Sequence, residues 1–472
     1  MNLKGASSVE TCEELLSVPK EMEGLQVDRA CVTYTNLSKR FAVWGKKDMT
    51  RQYCLLYAAR LEELRPRVQE EAVKRWGSEV KVKRLHDLAG DEGGERCVII
   101  GTLYKKQELK PCILKEISEE HQLMPQPVAK NYVGEKDEIV LEDEVQRIQL
   151  VGNIDTPTLV TGLVGAILGK ASEGGKFEVE DTCFAGLPDP GPRQGPSQDR
   201  YLLLVSGLEL SRATDHLLPM ELMVDYITGY LGCPEEQAEL ASLCRVIIAG
   251  NSVYNTEGEK GQTDLVKTVC ELDDLLTQIA GSCPVDVMPG EHDPTNHLLP
   301  QQPFHPCVLP KARGYSTMHG VTNPYECEVG GRVVLGTSGQ NVENISRCST
   351  LQDPLDVLQR LCEWGHLAPT APDTLCNLSV QQSHLPVLQG GAIHHNTVPG
   401  YSLCREPRNL CLQAVEVSGH KVTLVSVPKF NTTATCVLVN LRTLDCQPLH
   451  FSAGLPPPAA VSSPEAEAEG EK

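Results

Sequence analysis

From Arg51 to about Trp76, apolar positions return every third or fourth residue. Tyr53, Leu56, Tyr57, Leu61, Leu64 and Val68 therefore share one face of a predicted helix. Pro66 lies within it and should kink or divide it. Residues 1–50 form a mixed N-terminal segment with few periodic apolar positions, broken by Pro19 and Gly24. Between about Glu95 and Ala185 the rhythm shortens to β-rich runs: Cys97–Leu103, Cys112–Ile117, one within Glu138–Val151, Leu159–Leu168, and Lys176–Asp181 behind the turn Glu173-Gly174-Gly175. Short strands separated by Gly, Pro and Asp turns predict a small five-stranded barrel of the OB type. Gly162 and Gly165 fit tight bends or bulges in the fourth run. Helix and barrel together span 51–186.

Leu187–Gln198 is dense in Pro and Gly and reads as a linker. After it, over 199–452, short apolar runs alternate with helical periodicity. Strands are expected at Tyr201–Val205, Arg245–Ala249, Val285–Met288, Arg332–Leu335, Lys421–Val427 and Cys436–Leu441. Helices are expected at Leu217–Leu231 and Thr263–Ala280, the second with Leu265, Val269, Leu272, Leu276 and Ile279 on one face and Gly281 as its C-cap. This rhythm predicts an α/β sandwich whose site lies at the carboxyl ends of its strands. The tail, 453–472, is rich in Pro, Ala and Glu and is expected to be disordered and acidic.

Composition narrows the function. The opening residues lack a basic n-region and an apolar h-region, and no stretch approaches the roughly 18–20 apolar residues of a membrane span. A soluble intracellular protein with no membrane partner is expected. The 19 cysteines are scattered and odd in number, with no CxxC pair, which favours reduced thiols over disulfides or zinc. A net charge of −20 argues against gripping a phosphate backbone. The small basic groups Lys81, Lys83, Arg84 and Lys105, Lys106, Lys110 read as solvated faces. A single-strand-binding barrel would display aromatics, and the candidates here are few: Tyr104, Tyr132 and Phe177. Contact with DNA is expected to be indirect or weak.

The strand ends suggest a chemistry and then withhold it. The α/β region resembles the metallophosphoesterases, whose di-metal site draws carboxylates, His and Asn from D-x-H, G-D and G-N-H-D/E loops and from later His-bearing loops. Here the first loop reads Ser206-Gly207-Leu208, lacking both Asp and His. The second is Gly250-Asn251, without the bridging carboxylate, and the third is Gly290-Glu291-His292-Asp293, with Glu where the ligand Asn belongs. In Leu335–Asn341, Ser338 stands about where a His ligand would. The expected site is degenerate at Ser206, Leu208, Asn251, Glu291, His292, Asp293 and Ser338, and is expected to hold no metal and no cofactor.

An OB barrel ahead of an inactive calcineurin-like phosphoesterase domain resembles the B-subunits of replicative DNA polymerases, and most closely the small subunits of DNA polymerase delta. The segments that carry this are Arg51-Gln52-Tyr53, Leu123–Pro127, Leu141–Glu144, Pro284–Asn296, Leu299–Pro303, Leu335–Asn341, Ala368–Leu375 and Cys436–Arg442. The resemblance implies a nuclear, non-catalytic regulatory subunit serving DNA replication and repair. It implies a bridge between the cysteine-rich C-terminal domain of the catalytic subunit and the third delta subunit. Contact with the smallest delta subunit, and sharing with the translesion polymerase zeta, belong to the same implication. Two departures stand out: His292 replaces an expected aromatic, and Cys376–Gly419, with His394-His395-Asn396, lacks the family's aromatic-rich stretch. The alternative reading is a metal-dependent phosphodiesterase remodelled around Glu291, His292 and Asp293.

Overall fold

The computed structural model describes residues 28–43, 54–88, 95–110, 129–172, 174–188, 194–210, 217–232, 234–254, 259–375, 393–397, 411–417 and 420–452. The expected second β-run, Cys112–Ile117, lies outside them, as do 453–472 and most of Cys376–Gly419. Among the described residues no helix is long and apolar enough to cross a membrane.

Strand β1 (Tyr34–Asn36), helix α1 (Cys54–Trp76) and the short β2 (Val82–Lys83) precede the barrel. Helix α1 is continuous, with Pro66 inside it, so the proline does not divide it. Its apolar face, with Leu56, Leu61, Leu64, Val68 and Ala72, packs on Val98, Ile100, Val164, Ala166 and Leu168 of the barrel's outer surface.

The barrel strands are β3 (Cys97–Lys106), β4 (Glu138–Glu142), β5 (Arg147–Gly152), β6 (Val164–Ser172) and β7 (Lys176–Phe184). Their order is β3-β4-β5-β7-β6, and β6 pairs back onto β3, so the barrel closes. Among these five strands β5 and β7 pair in parallel and the rest antiparallel, and β2 adds to β3 in parallel at the edge. This is an OB-fold domain, with Ile99, Leu103, Ile139, Leu141, Leu150, Ile167, Phe177 and Val179 in its core. Two strand expectations need correction. The run within 138–151 is two strands, because Asp143 accepts from the backbone nitrogens of Val145 and Gln146 and folds the chain into a hairpin. The run expected to begin at Leu159 becomes a strand only at Val164. Gly162, at φ +91°, turns the chain; Leu159 and Val160 are buried outside the strand, while Leu163 bonds to Leu103 of β3 just ahead of it.

The following region is a two-sheet sandwich. One sheet runs β11-β10-β9-β8-β17-β18, from Met318–Gly320 (β11), Val285–Met288 (β10), Leu243–Ala249 (β9), Tyr201–Val205 (β8), Thr435–Asn440 (β17) and Cys446–His450 (β18). The other runs β1-β12-β13-β14-β16-β15, its later strands being Tyr325–Val329 (β12), Arg332–Thr337 (β13), Ile393–Thr397 (β14), Cys411–Val417 (β15) and His420–Val427 (β16). Strands β8, β9, β10 and β11 are mutually parallel, which sets their carboxyl ends side by side.

Strand β8 shows why its run is apolar throughout. Leu202 and Leu204 face the second sheet, in a core with Tyr325, Val334, Val425 and Val437. Leu203 and Val205 face helices α2 (Leu217–Thr228) and α3 (Glu259–Ser282). Helix α2 stops at Thr228, where Gly229 adopts φ +88°. Helix α3 continues to Ser282, so Gly281 lies inside it and is not its cap. On the other side, α4 (Gln340–Cys348) and α5 (Pro354–Trp364) share one core with Leu335, Val422 and Leu424 and with the barrel interior. Barrel and sandwich are therefore joined by a continuous hydrophobic core.

Arg60 fastens that junction. Its fully buried guanidinium donates to the carbonyl oxygens of Gly162, Pro369 and Ala371. Lys105 does the same from β3: its Nζ reaches the carbonyls of Pro157 and Cys348 and lies 3.7 Å from Asp137. Lys105 is thus buried and structural, which corrects the reading of Lys105, Lys106 and Lys110 as one solvated face.

Candidate functional site

Strands β8, β9, β10 and β13 end around a common point, and small residues let their loops meet there. Gly250 sits at φ +87°, and a Cβ on it would fall 2.5 Å from the Cβ of Ser338. A Cβ on Gly290 would collide with the backbone nitrogen and Oδ1 of Asn251. Asn251 itself is left-handed, at φ 52°, a conformation Asn tolerates better than most residues. Ser206, Asn251, Asp293 and Ser338 are brought together and buried.

These groups bond to one another and to the backbone. Ser206 Oγ donates to the Ala249 carbonyl at 3.4 Å, and Asn251 Oδ1 accepts from the His292 backbone nitrogen at 3.3 Å. Asn323, fully buried, is the hub: its Nδ2 donates to Gln301 Oε1 (2.7 Å), Ser338 Oγ (2.6 Å) and Gln340 Oε1 (2.9 Å). Gln301 Nε2 in turn donates to the carbonyls of Gly290 and Asn296, both at 2.9 Å. The centre is filled by neutral amides and a hydroxyl with their hydrogen bonds made. Such a lining rigidifies a loop cluster but offers little to a cation.

Asp293 is the buried carboxylate of the cluster, and both its oxygens are committed. Oδ1 accepts from the Val253 nitrogen at 2.9 Å and Oδ2 from the Gly290 nitrogen at 2.7 Å. Burial raises its pKa to about 6, and backbone hydrogen bonds from Val253, Gly290, Ser252 and Asn251 only partly offset this. The candidate trio does not converge. Glu291 is exposed, and His292 packs edge-on against Tyr254, with ring centroids 5.2 Å apart. Leu208 departs further, since its side chain is buried with Leu210, Met220 and Val224 in the core beneath α2. Among the described residues no group of three or more His, Cys, Asp or Glu is placed to hold a metal ion. This donor set does not suit a pair of divalent cations, whose mutual repulsion requires bridging carboxylates.

Sequence reasoning passed over Gln301, Asn323, Gln340 and Glu209. Glu209, almost fully buried beside the first loop, takes Lys429 Nζ at 2.6 Å and Asn431 Nδ2 at 3.3 Å. Single amides in loops carry no periodicity or spacing, and the only signal for Glu209 was its place next to the first loop. Of the barrel aromatics singled out from the sequence, Tyr132 and Phe177 are buried and Tyr104 is exposed. His394, His395 and Asn396 lie on β14, paired in parallel between β13 and β16.

Comparison with known proteins agrees with this architecture. The family model for the DNA polymerase delta subunit OB-fold domain matches residues 52–182. The family model for the B-subunits of DNA polymerases alpha and epsilon matches 202–390. The chain is 38% identical over 431 residues to DNA polymerase delta subunit 2 of Drosophila melanogaster, covering 89% of this chain and 97% of that one. It is 38% identical over 432 residues to the DNA polymerase delta small subunit of Arabidopsis thaliana, covering 89% and 95% of the two chains. It is 36% identical over 435 residues to the small subunit of Oryza sativa subsp. japonica, covering 90% and 99%. With this identity along nearly its whole length, the chain belongs to the family of DNA polymerase delta small subunits.

Proposed function

We propose that this chain is a non-catalytic scaffold subunit of a nuclear DNA polymerase delta, acting in DNA replication and repair. Its sandwich is a calcineurin-like phosphoesterase fold that has lost its metal centre. Its task is to hold the C-terminal cysteine-rich domain of the catalytic subunit and to join it to the third subunit; the smallest subunit and polymerase zeta are further partners under this reading. The observation that carries it is the closed amide network at Gln301, Asn323, Ser338 and Gln340. It occupies the point where a phosphoesterase needs anionic ligands, and it leaves a rigid preformed body whose remaining use is its surface. The barrel closed onto the sandwich through one core supports the same view, since a bridge must not flex at its own junction.

The test of inactivity is direct. Purified full-length chain, given manganese, magnesium or zinc, should hydrolyse neither a phosphodiester nor a phosphomonoester, and should retain less than one tightly bound metal per chain. Hydrolysis that co-purifies with the protein and vanishes in His292→Ala would restore the enzyme reading.

A further inference from the structure

A cavity of about 610 Å³ opens where the start of α1 crosses the barrel at β3 and the β4–β5 hairpin. Its apolar side comes from Leu55 and Tyr104, 46% and 39% exposed, with Val145 on the hairpin tip beside it, 79% exposed. Four carboxylates line it, Glu142, Asp143, Glu144 and Asp373, against one guanidinium, that of Arg147. Glu144 is paired with Arg65 and Asp373 with Lys110. Of the other two, Glu142 remains available as an anionic acceptor, while Asp143 contributes its charge with both oxygens already bonded to the backbone nitrogens of Leu85, Val145 and Gln146. Glu142 makes no side-chain hydrogen bond or ion pair among the described residues. Asp143 stays ionised, because hydrogen bonds from the Gln146, Val145 and Leu85 nitrogens outweigh its burial.

Thr102 adds an independent observation. It lies in the cavity wall, only 8% exposed, and its hydroxyl has no hydrogen-bond partner among the described residues. An unpaired buried hydroxyl is unfavourable to keep and marks a place where a partner group completes the bond. Beside it, Gly101 packs so tightly on the Glu142 carbonyl that a Cβ would come within 2.5 Å, which fixes the wall.

We propose that this groove docks a cationic peptide segment of a partner protein. One long apolar or aromatic side chain of the segment enters the cavity toward Thr102, and flanking Lys or Arg residues meet Glu142 within the negative field of Asp143. Several observations select this occupant. Along the groove β3 is covered on both sides, by β4 on one. On the other, past the end of the β6 ladder, Leu103 bonds to the backbone of Gly162 and Leu163, and Lys105 to the Thr161 hydroxyl. No free edge therefore invites an added strand, and recognition must run through side chains. The carboxylate rim repels nucleic-acid phosphates. It equally disfavours a second copy of a chain with net charge −20. The inference goes beyond the scaffold reading and does not depend on which polymerase subunit supplies the segment.

The experiment selects random linear peptides displayed on phage against the immobilised full-length chain. The enriched consensus peptide is then synthesised with a fluorophore and titrated by anisotropy. The expected consensus is an aromatic or long apolar residue flanked by Lys or Arg, with binding that weakens as salt rises. Glu142→Lys should weaken it about tenfold, and Thr102→Val about threefold or more. The control Val266→Asp, on the exposed flank of α3, should leave it unchanged. Thermal unfolding confirms that each variant is folded, and Glu142→Lys, at a half-buried position on the groove's rim, keeps the test open if Thr102→Val is not. A consensus without basic residues would overturn the proposal. So would affinity indifferent to Glu142→Lys, full competition by oligo-dT, or self-association of the chain that Glu142→Lys abolishes. None of these results bears on whether the chain assembles with a polymerase.

Discussion

Arg60 is a buried cation whose described hydrogen bonds go to backbone carbonyls, with no carboxylate among them. Replacing it leaves the oxygens of Gly162, Pro369 and Ala371 buried and unpaired, so Arg60→Met should cost about 3–5 kcal/mol in denaturant unfolding. Arg60→Lys should recover little of this, because a single ammonium cannot span the three acceptors as the planar fork does. Beside it, His366 is fully buried, and desolvation, reinforced by the Arg60 charge, holds its pKa well below the usual imidazole value. The folded state then binds fewer protons than the unfolded state below about pH 6.5, so stability is complete above that pH and falls as pH drops. Comparing melting temperatures of the wild type and His366→Gln from neutral to mildly acid pH should show a steeper acid loss in the wild type. Parallel curves would mean that His366 titrates freely in the folded chain.

The loops at the strand ends are held by close backbone approach, and single side chains there differ sharply in what they do. Gly290→Ala forces a Cβ onto Asn251 and should destabilise by several kcal/mol, roughly as an overpacked core does. Glu291→Gln, at an exposed position, should stay within about 0.5 kcal/mol of the wild type. Denaturant titration of both variants checks this, and equal effects would contradict the packing described. Much at this scale was legible in the sequence. The runs at Cys97, Tyr201 and Val285 announced strands because apolar residues on both faces, or alternating ones, leave few other ways to be buried. What the pattern misplaced has local physical causes. The Asp143 side chain makes a hairpin inside what reads as one run, and Gly162 turns the chain so that the strand proper begins only at Val164. Gly281 resembles a helix end, yet the Ala280 carbonyl beside it is also used by Thr317, and the helix goes on to Ser282. At the site, the sequence pointed to Ser206, Asn251, Asp293 and Ser338. It did not point to Gln301, Asn323 and Gln340, because amides in distant loops meet only through the fold.

The whole molecule is acidic, with net charge −20, and of the barrel aromatics singled out from the sequence only Tyr104 is exposed. The isolated chain should therefore bind single-stranded DNA weakly, with a Kd above about 1 μM at physiological salt. Anisotropy with labelled oligo-dT measures this, and nanomolar affinity with a steep salt slope would reveal a basic groove. A body with one continuous core and a closed amide network at its strand ends is suited to large, lasting interfaces, which commonly bury about 2,000 Å² or more. Charge reversal at Glu291, outside the amide network, should leave assembly intact. The most direct measurement is co-expression of the full chain with the C-terminal domain of a polymerase delta catalytic subunit, followed by size-exclusion chromatography. The account predicts a single stoichiometric peak that persists at micromolar concentration. Separate elution of the two, with the chain alone folded and monodisperse, would contradict it.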